Sequence, residues 1–310
     1  MKSWSCSFLL ALALTTGALV QAQTFEQSRA SYERMEYDVA FAGFKRLAEQ
    51  GDARGQNALG TMLASGRGVP RDEQQAVDWF RQAALQGQAQ AQYTLGFMYL
   101  NGRGTPKNDQ QAAAWFRQAA EQGHATAQYN LGLMRANGQG APGSDEQAAA
   151  WFRQAAEQGH ANAQNNLGLM HVNGWGVPQN NQQAMAWFRQ AAEQGFVDAQ
   201  NNLGFMYANG LGVPKNDQQA MAWFRQAAEQ GYASAQTSLG FLYANGLGVR
   251  KNRQNAYFWW LLASAQGDAD AAQQRDAVEL KLSPRQRAAA QASARQWTPK
   301  ITAQSGNATR

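Results

Sequence analysis

The ten residues AWFRQAAEQG, from Ala114 to Gly123, recur unchanged at three later points, beginning at Ala150, Ala186 and Ala222. Each copy begins 36 residues after the one before it, without insertion or deletion. Looser copies lie on both sides of these four, at 78–84 and 259–263. A fixed period of this size, with each unit too small to enclose its own core, is typical of stacked repeat proteins. We therefore predict an all-α solenoid of stacked antiparallel helix pairs with a 36-residue period.

The first helix of each repeat, called the A helix below, is predicted from an apolar stripe. In the copy from Ala89 to Leu100, the stripe consists of Ala91, Leu95, Met98 and Tyr99. A Leu-Gly pair stands in the middle of this helix in all six repeats, although glycine inside a helix costs about 1 kcal/mol relative to alanine. The pair therefore predicts that a neighbouring helix crosses too closely to admit a Cβ atom.

The turn after the A helix reads Asn-Gly-x-Gly in five repeats, starting at Asn101, Asn137, Asn173, Asn209 and Asn245. Asparagine and glycine tolerate the positive φ that ends a helix and forms a tight turn. A phosphate-binding loop is the functional alternative, but no strand precedes this sequence and no Gly-Lys-Ser/Thr follows it. We interpret it as a turn.

The second helix, called the B helix, begins at a capping residue with Gln or Asn three positions later, as in a capping box. The N-cap residues are Asp72, Asn108, Ser144, Asn180, Asn216 and Asn252. Its Trp-Phe pair and alanines are predicted to lie in the core, which leaves Trp175, in a turn, as the repeat tryptophan expected outside it. Arg117 and Glu121, with their equivalents at Arg153, Arg189 and Arg225, have the i,i+4 spacing of helix ion pairs.

The domain organisation follows from where the period begins and ends. We predict a signal peptide at 1–22, N-terminal capping helices at 23–51, six repeats at 52–267, C-terminal capping helices at 268–297 and a disordered tail at 298–310. Lys2, an apolar run at 8–14 and small residues before Gln23 favour a cleavable signal peptide, with cleavage near Ala22. A membrane anchor is the alternative, but the run is shorter than the ~20 apolar residues of a transmembrane helix. The predicted location is therefore periplasmic or secreted, with no transmembrane segment after cleavage.

The charge distribution argues against a nucleic-acid partner. Of the 27 Lys and Arg, seven lie in 273–310 and one is Lys2, which leaves 19 in 23–272; of the 22 Asp and Glu, two lie in 273–310, which leaves 20. A nearly neutral repeat body has no basic footprint for a phosphate backbone. The basic C-terminal part is either solvated or in contact with an anionic membrane or an acidic glycan.

Cleavage of the signal peptide would also remove Cys6, the single cysteine, so the mature chain would have no disulfide.

These residues together carry a family resemblance. The pattern A-x-A-Q-x-N-L-G-x-M-Y-x-N-G-x-G-V-P followed by W-F-R-x-A-A-E-Q-G closely resembles the Sel-one-like repeat (SLR), a relative of the tetratricopeptide repeat, from about Gly51 to Gly267. The resemblance implies a right-handed superhelix with a concave groove, and a scaffold or adaptor role, in bacteria often at the cell envelope. A cysteine-rich branch of the family is linked to β-lactam binding or hydrolysis. This chain lacks the cysteine pair of each repeat in that branch, so we keep that activity only as an alternative.

The sequence offers little for catalysis. It has no Ser-x-x-Lys, Gly-x-Ser-x-Gly or His-Glu-x-x-His motif, and we predict neither an enzyme nor a cofactor. His124 and His160 occupy equivalent positions of consecutive repeats and could share a metal, but no cysteine or carboxylate converges with them, so no metal site is predicted. His171 stands where other repeats have tyrosine and is expected to be a partly buried aromatic residue.

A protein or extended peptide is the predicted partner, bound along the A helices. The candidate contact residues are Tyr93, Phe97, Tyr129, Asn130, Asn165, Asn166, Asn201, Asn202 and Phe205. Carboxamides donate and accept hydrogen bonds, so a row of them could pair with a peptide backbone, while the aromatic residues supply anchoring area. These residues could instead solvate the helix surface or bond adjacent repeats to each other. A peptidoglycan or other envelope glycan, bound through Trp175, is a further alternative.

Overall fold

The computed structural model describes residues 24–300, and in that range it contains sixteen α-helices and no strand. The predicted signal peptide and residues 301–310 of the predicted tail lie outside the described residues. The helices are α1 Phe25–Glu33, α2 Tyr37–Glu49, α3 Ala53–Ser65, α4 Glu73–Leu85, α5 Ala89–Asn101, α6 Asp109–Glu121, α7 Ala125–Ala136, α8 Asp145–Glu157, α9 Ala161–Asn173, α10 Asn181–Glu193, α11 Val197–Asn209, α12 Asp217–Glu229, α13 Ala233–Asn245, α14 Arg253–Ala265, α15 Ala269–Glu279 and α16 Pro284–Gln296.

The contacts divide the chain into two units, which in the described range are residues 24–108 and 109–300. In each unit consecutive helices pack on one another through short turns, so neighbours run in opposite directions. The odd-numbered helices from α3 to α13 are the A helices, and the even-numbered helices from α4 to α14 are the B helices. This confirms the all-α class and the helix pairs, while the predicted handedness of the superhelix stays a prediction.

The helix ends form where the sequence places them. The Asp72 carboxylate accepts from the backbone N–H of Gln75 at 2.9 Å, and Asn180 and Asn216 cap α10 and α12 in the same way. The complete, reciprocal capping box is formed by Thr24 at α1 and by Ser283 at α16. At α4, α8, α10, α12 and α14 only the N-cap half of the predicted box is present.

The glycine of the Leu-Gly pair lies against an aromatic ring of the following B helix at five positions: Gly60, Gly132, Gly168, Gly204 and Gly240. A Cβ atom on Gly168 would lie 2.6 Å from Cε1 of Phe188, and one on Gly204 would lie 2.6 Å from Cδ1 of Phe224. Real Cβ atoms essentially never come this close to a ring. The predicted close approach is confirmed at these positions, and the group that approaches is a phenylalanine ring or, at Gly240, the ring of Trp260.

The core holds the phenylalanine of each Trp-Phe pair but not the tryptophan. Phe188 and Phe224 are buried, whereas the preceding residues, Trp187 and Trp223, are only half-buried. One residue corresponds to about 100° of rotation on a helix, so when the phenylalanine faces its own A helix the tryptophan points elsewhere. Trp187 packs on the cluster formed by α8 and α9, and Trp223 packs on the cluster formed by α10 and α11. The prediction that the repeat tryptophans are core residues was therefore wrong for Trp79, Trp115, Trp151, Trp187 and Trp223.

A buried glutamine on each of α7, α9, α11 and α13 links that A helix to the B helices on both sides, a role that the sequence did not indicate. The side-chain amide of Gln164 donates to the carbonyl of Ala156 at 3.1 Å, and its Oε1 accepts from Gln194 at 2.8 Å. The same donor arrangement recurs in Gln56, Gln92, Gln128, Gln200 and Gln236. These bonds satisfy polar groups that the stacking of repeats would otherwise bury without partners.

The predicted arginine–glutamate ion pairs are replaced by other contacts where the structure shows partners. Arg189 donates to the hydroxyl of Tyr207 at 2.9 Å, and Arg225 donates to that of Tyr243 at 2.7 Å. Glu229, predicted to pair with Arg225, instead accepts from Nζ of Lys300 at 2.7 Å. The prediction was wrong because the tyrosine of the next A helix is closer to the guanidinium than the glutamate one turn along.

Candidate partner-binding groove

The predicted contact residues lie on both units. Tyr93 and Phe97 belong to α5 in the first unit, and the remaining seven belong to α7, α9 and α11 in the second. Within the second unit the structure shows which of them touch each other.

The asparagines of the second unit are used largely to join adjacent A helices. Asn202 donates to Oδ1 of Asn165 at 2.9 Å, and Asn165 is buried. Asn166 is hydrogen-bonded to the hydroxyl of Tyr129, although burial still raises the pKa of that tyrosine. Oδ1 of Asn201 is buried and has no hydrogen-bond partner among residues 24–300. These carboxamides therefore have less capacity for a peptide backbone than their spacing alone indicated.

Two further contacts of the same kind lie beside the asparagines. Tyr232 is hydrogen-bonded to the carboxylate of Asp198; burial first, and then that carboxylate, raise the pKa of Tyr232 to about 12. The phenol therefore stays a neutral donor. Thr237 donates to Oδ2 of Asp268 at 2.8 Å. The inter-repeat alternative thus accounts for a substantial part of this surface.

The aromatic column one turn further along the A helices is exposed. Phe205 is 56% exposed and its equivalent Phe241 is 52% exposed, while Phe97 in the first unit is 39% exposed. The equivalents Leu133 and Leu169 are half-buried. Phe241 is not among the predicted contact residues, but its exposure makes it a stronger candidate than most of the asparagines.

A cavity of about 520 Å³ lies between Phe205 and Phe241 in the second unit. Its apolar lining includes Phe224, Leu242, Leu247 and Trp260, and its polar lining includes Asn209, Lys215, Asp217, Ser238, Asp270 and Gln274. We call this cavity, together with the two exposed phenylalanines, the aromatic groove. An apolar cavity with a few polar groups at its edge is the usual form of a site that holds one large side chain or small ligand.

The charges at the edge of the aromatic groove are unequal. Nζ of Lys215 lies 3.5 Å from Oδ1 of Asp217, so these two charges balance each other. Asp270, another lining residue, has no ion-pair partner within the described part of the chain. The groove therefore presents one uncompensated carboxylate beside its apolar surface.

The two histidines at equivalent positions have a structural role as N-caps. Nδ1 of His124 accepts from the backbone N–H of Ala127 at 3.2 Å, and Nδ1 of His160 accepts from that of Ala163 at 3.3 Å. Burial lowers the pKa of both imidazoles. The histidines therefore cap α7 and α9, as Asp52 and Gln88 cap α3 and α5. The recurring N-cap position was the signal for this role. In residues 24–300, no three His, Cys, Asp or Glu side chains are grouped as a metal site would require.

The last two sequence candidates are tryptophan and histidine side chains outside the groove. Trp175 is 54% exposed in its turn, as predicted. His171 is buried, more fully than expected, and its Nδ1 lies 3.2 Å from the carbonyl of Pro178. No helix in the described range is both long enough and apolar enough to cross a bilayer.

Fold and groove together define a helical repeat protein in which each 36-residue unit contributes one A helix and one B helix. The Sel1 repeat family matches six consecutive segments, residues 53–88, 89–124, 125–160, 161–196, 197–232 and 233–268. These segments cover more than half of the chain. The chain belongs to the Sel1 repeat family.

Solved structures of the same family resemble the chain along most of its length. A Sel1 repeat protein from Oxalobacter formigenes is 32% identical with a TM-score of 0.69, over 78% of this chain and 96% of that one. The protein c5321, described as a protective antigen of uropathogenic Escherichia coli with an SLR fold, is 30% identical with a TM-score of 0.57. That alignment covers 89% of this chain and 68% of c5321. A search of curated proteins found no match.

Proposed function

We propose that this protein is a non-enzymatic interaction scaffold of the bacterial cell envelope that binds a segment of a partner protein in the aromatic groove. Sel1 repeats generally mediate protein interactions, which supports the class of function. The observation that carries the proposal is the exposed pair Phe205 and Phe241 on either side of an apolar cavity.

The groove favours one kind of partner segment. Large aromatic side chains that are exposed beside an apolar cavity are typical anchors of protein interfaces. Asp270, which lacks an ion-pair partner among the described residues, would attract a cation at the same place. The segment should therefore carry a large apolar side chain for the cavity and a lysine or arginine near it.

Site-specific photocrosslinking would test this proposal. A photoreactive phenylalanine analogue at position 241 should crosslink a partner in intact cells, and the same analogue at position 175 serves as a control at an equally exposed site. Phe205→Ser in the position-241 protein should reduce the crosslink strongly, and Asp270→Asn should reduce it less. Equal crosslinking from both positions, or no effect of Phe205→Ser, would contradict the aromatic groove as the binding surface.

The Asn166→Arg and Asn202→Arg substitutions are a less suitable test than the sequence indicated. Each would break a hydrogen bond between A helices, to Tyr129 and Asn165 respectively, so lost binding could reflect a disturbed repeat. Phe205 and Phe241 project from the surface and can be changed with less disturbance.

The envelope location rests on the N-terminal segment, and processing of that segment tests it. Mass spectrometry of the protein recovered from the periplasmic fraction should give a chain that begins at Gln23. An unprocessed chain that begins at Met1 and stays in the cytosolic fraction would contradict export without affecting the groove.

A further inference from the structure

A second cavity in the second unit is lined by four cations and by neutral residues. It measures about 650 Å³ and is bounded by Arg250, Lys251 and Arg253 before and at the start of α14, and by Lys281 after α15. The other lining residues are Asn252, Gln254, Leu282 and Gln286, so no carboxylate lines it. We call it the basic cavity. It shares no lining residue with the aromatic groove.

The four cations have no carboxylate partner among residues 24–300. Two cations at the position equivalent to Lys251 in earlier repeats do have one: Lys215 pairs with Asp217, and Arg71 pairs with Glu73. Four neighbouring positive charges repel one another unless an anion lies between them. The positive charges of the cavity are therefore not neutralised by carboxylates of the described residues.

Two of these cations interrupt the repeat pattern. The position of Arg250 is proline in the five preceding repeats, Pro70, Pro106, Pro142, Pro178 and Pro214. The position of Arg253 is Glu73, Asp109, Asp145, Asn181 and Asp217 in those repeats. Only the last repeat, the one against the C-terminal helices, places arginine at both.

The arginine at the start of α14 is unfavourable for the helix itself. An acidic residue in the first turn complements the helix dipole, and α4, α8 and α12 each have one. Helix α14 has none and carries Arg253 as its first residue. Arg253 therefore does not stabilise the start of α14, whereas it would stabilise an anion bound in the cavity.

We propose that the basic cavity binds a ligand that carries two or more phosphate charges. Guanidinium groups bind phosphate oxygens through paired hydrogen bonds, and ammonium groups add positive charge without requiring one geometry. Two arginines and two lysines around one cavity suit a diphosphate better than a single carboxylate. Because the rest of the repeat body is nearly neutral, attraction of a phosphate ligand is confined to this end of the second unit.

Titration calorimetry with inorganic pyrophosphate, at low and at physiological salt, tests the site on the mature chain. Wild type should bind, and Arg250→Gln with Arg253→Gln should weaken binding at least tenfold. Lys281→Gln, on the other wall, should weaken it severalfold. The control is Arg117→Gln with Arg153→Gln, which makes the same change in net charge at two exposed arginines outside the cavity, and it should bind as wild type does.

Vesicle flotation separates two sources of the same phosphate chemistry. Binding to vesicles that contain cardiolipin, whose headgroup carries two phosphates, but not to phosphatidylcholine vesicles, lost in the Arg250/Arg253 variant, would assign the site to lipid headgroups. Pyrophosphate binding without vesicle binding would assign it to a soluble ligand. The proposal is overturned if wild type binds neither, or if the control variant loses as much affinity as the cavity variant while all four proteins keep the same thermal stability.

Discussion

At the scale of the residue, the buried glutamine of the A helix is the polar contact on which each repeat depends. Gln164→Leu would keep most of the side-chain volume but leave the buried carbonyl of Ala156 without its side-chain donor and the carboxamide of Gln194 without one of its two acceptors. Because unpaired buried polar groups cost roughly 1–3 kcal/mol, we expect a loss of that size in the free energy of unfolding. Urea denaturation would measure it. Gln183→Leu, at an exposed site on α10, is the control and should change stability by less than about 0.5 kcal/mol; equal effects would contradict the role of Gln164.

The capping histidines predict a pH dependence at the same scale. Nδ1 of His124 and His160 can accept a backbone hydrogen bond only when the imidazole is neutral. Because burial lowers the pKa of both in the folded state, the unfolded chain binds more protons, and stability rises with pH. The contribution is fully present above the unfolded pKa of about 6.5 and is lost as the pH falls through the lower folded value.

The double variant His124→Gln, His160→Gln isolates this effect. Gln88 already caps α5 through its Oε1, at 2.9 Å from the backbone nitrogen of Ala91, and glutamine does not titrate. Thermal melts between pH 7.5 and pH 5 should therefore show a shallower loss of stability for the variant than for wild type. Parallel curves would show that other groups cause the pH dependence.

At the scale of the element, each repeat is held together by the fit of one glycine against one ring. Gly168→Ala would place a methyl group 2.6 Å from Phe188, and overpacking of this kind costs about 1–3 kcal/mol. That cost should exceed the gain of about 1 kcal/mol in helix propensity. Phe188→Leu should relieve the clash, so the double variant should be more stable than the sum of the two single changes predicts. Additive effects in urea denaturation would contradict the contact.

The period, the caps and the glycine contacts could be predicted because they depend on local chemistry that repeats every 36 residues. Asp72, Gly102 and Gly168 have their roles within one helix pair. The tryptophans could not be placed because Trp187 and Phe188 are equally apolar, and only the angle of the B helix decides which of them faces the A helix. The rotation of the B helix about its own axis cannot be predicted from the hydrophobicity of the two residues.

The exposed aromatic residues of the candidate surface could be predicted from the sequence, but the contacts of its asparagines could not. The A helices do carry an exposed aromatic column, but the asparagines beside it partly bond one repeat to the next, as Asn202 does with Asn165. Asparagines that face solvent and asparagines that bond to a neighbouring helix recur with the same 36-residue spacing. The sequence pattern therefore does not distinguish them. Arg250 and Arg253 were overlooked because the count of charges over 23–272 conceals a local cluster.

At the scale of the whole molecule, a stack of repeats needs a polar cover on its last apolar face. Helix α16 packs on α14, where Ala290 is buried and Gln291 donates to the hydroxyl of Tyr257 at 3.1 Å. Tyr257, Trp259 and Trp260 are buried in the same core cluster. Removal of residues 283–310 would expose part of this cluster to water, and repeat proteins without a terminal cap become unstable and aggregate.

Two truncations distinguish the cap from the residues that follow it. A chain ending at Leu282 should melt several degrees lower than wild type and form soluble aggregates in size-exclusion chromatography. Among the described residues, a chain ending at Trp297 loses 298–300, with one backbone hydrogen bond and one ion pair between Lys300 and Glu229. The ion pair is worth at most about 1 kcal/mol, so this chain should melt close to wild type. If the chain ending at Leu282 were as stable as the chain ending at Trp297, α16 would not contribute to stability. The six repeats and α15 would then be sufficient for it.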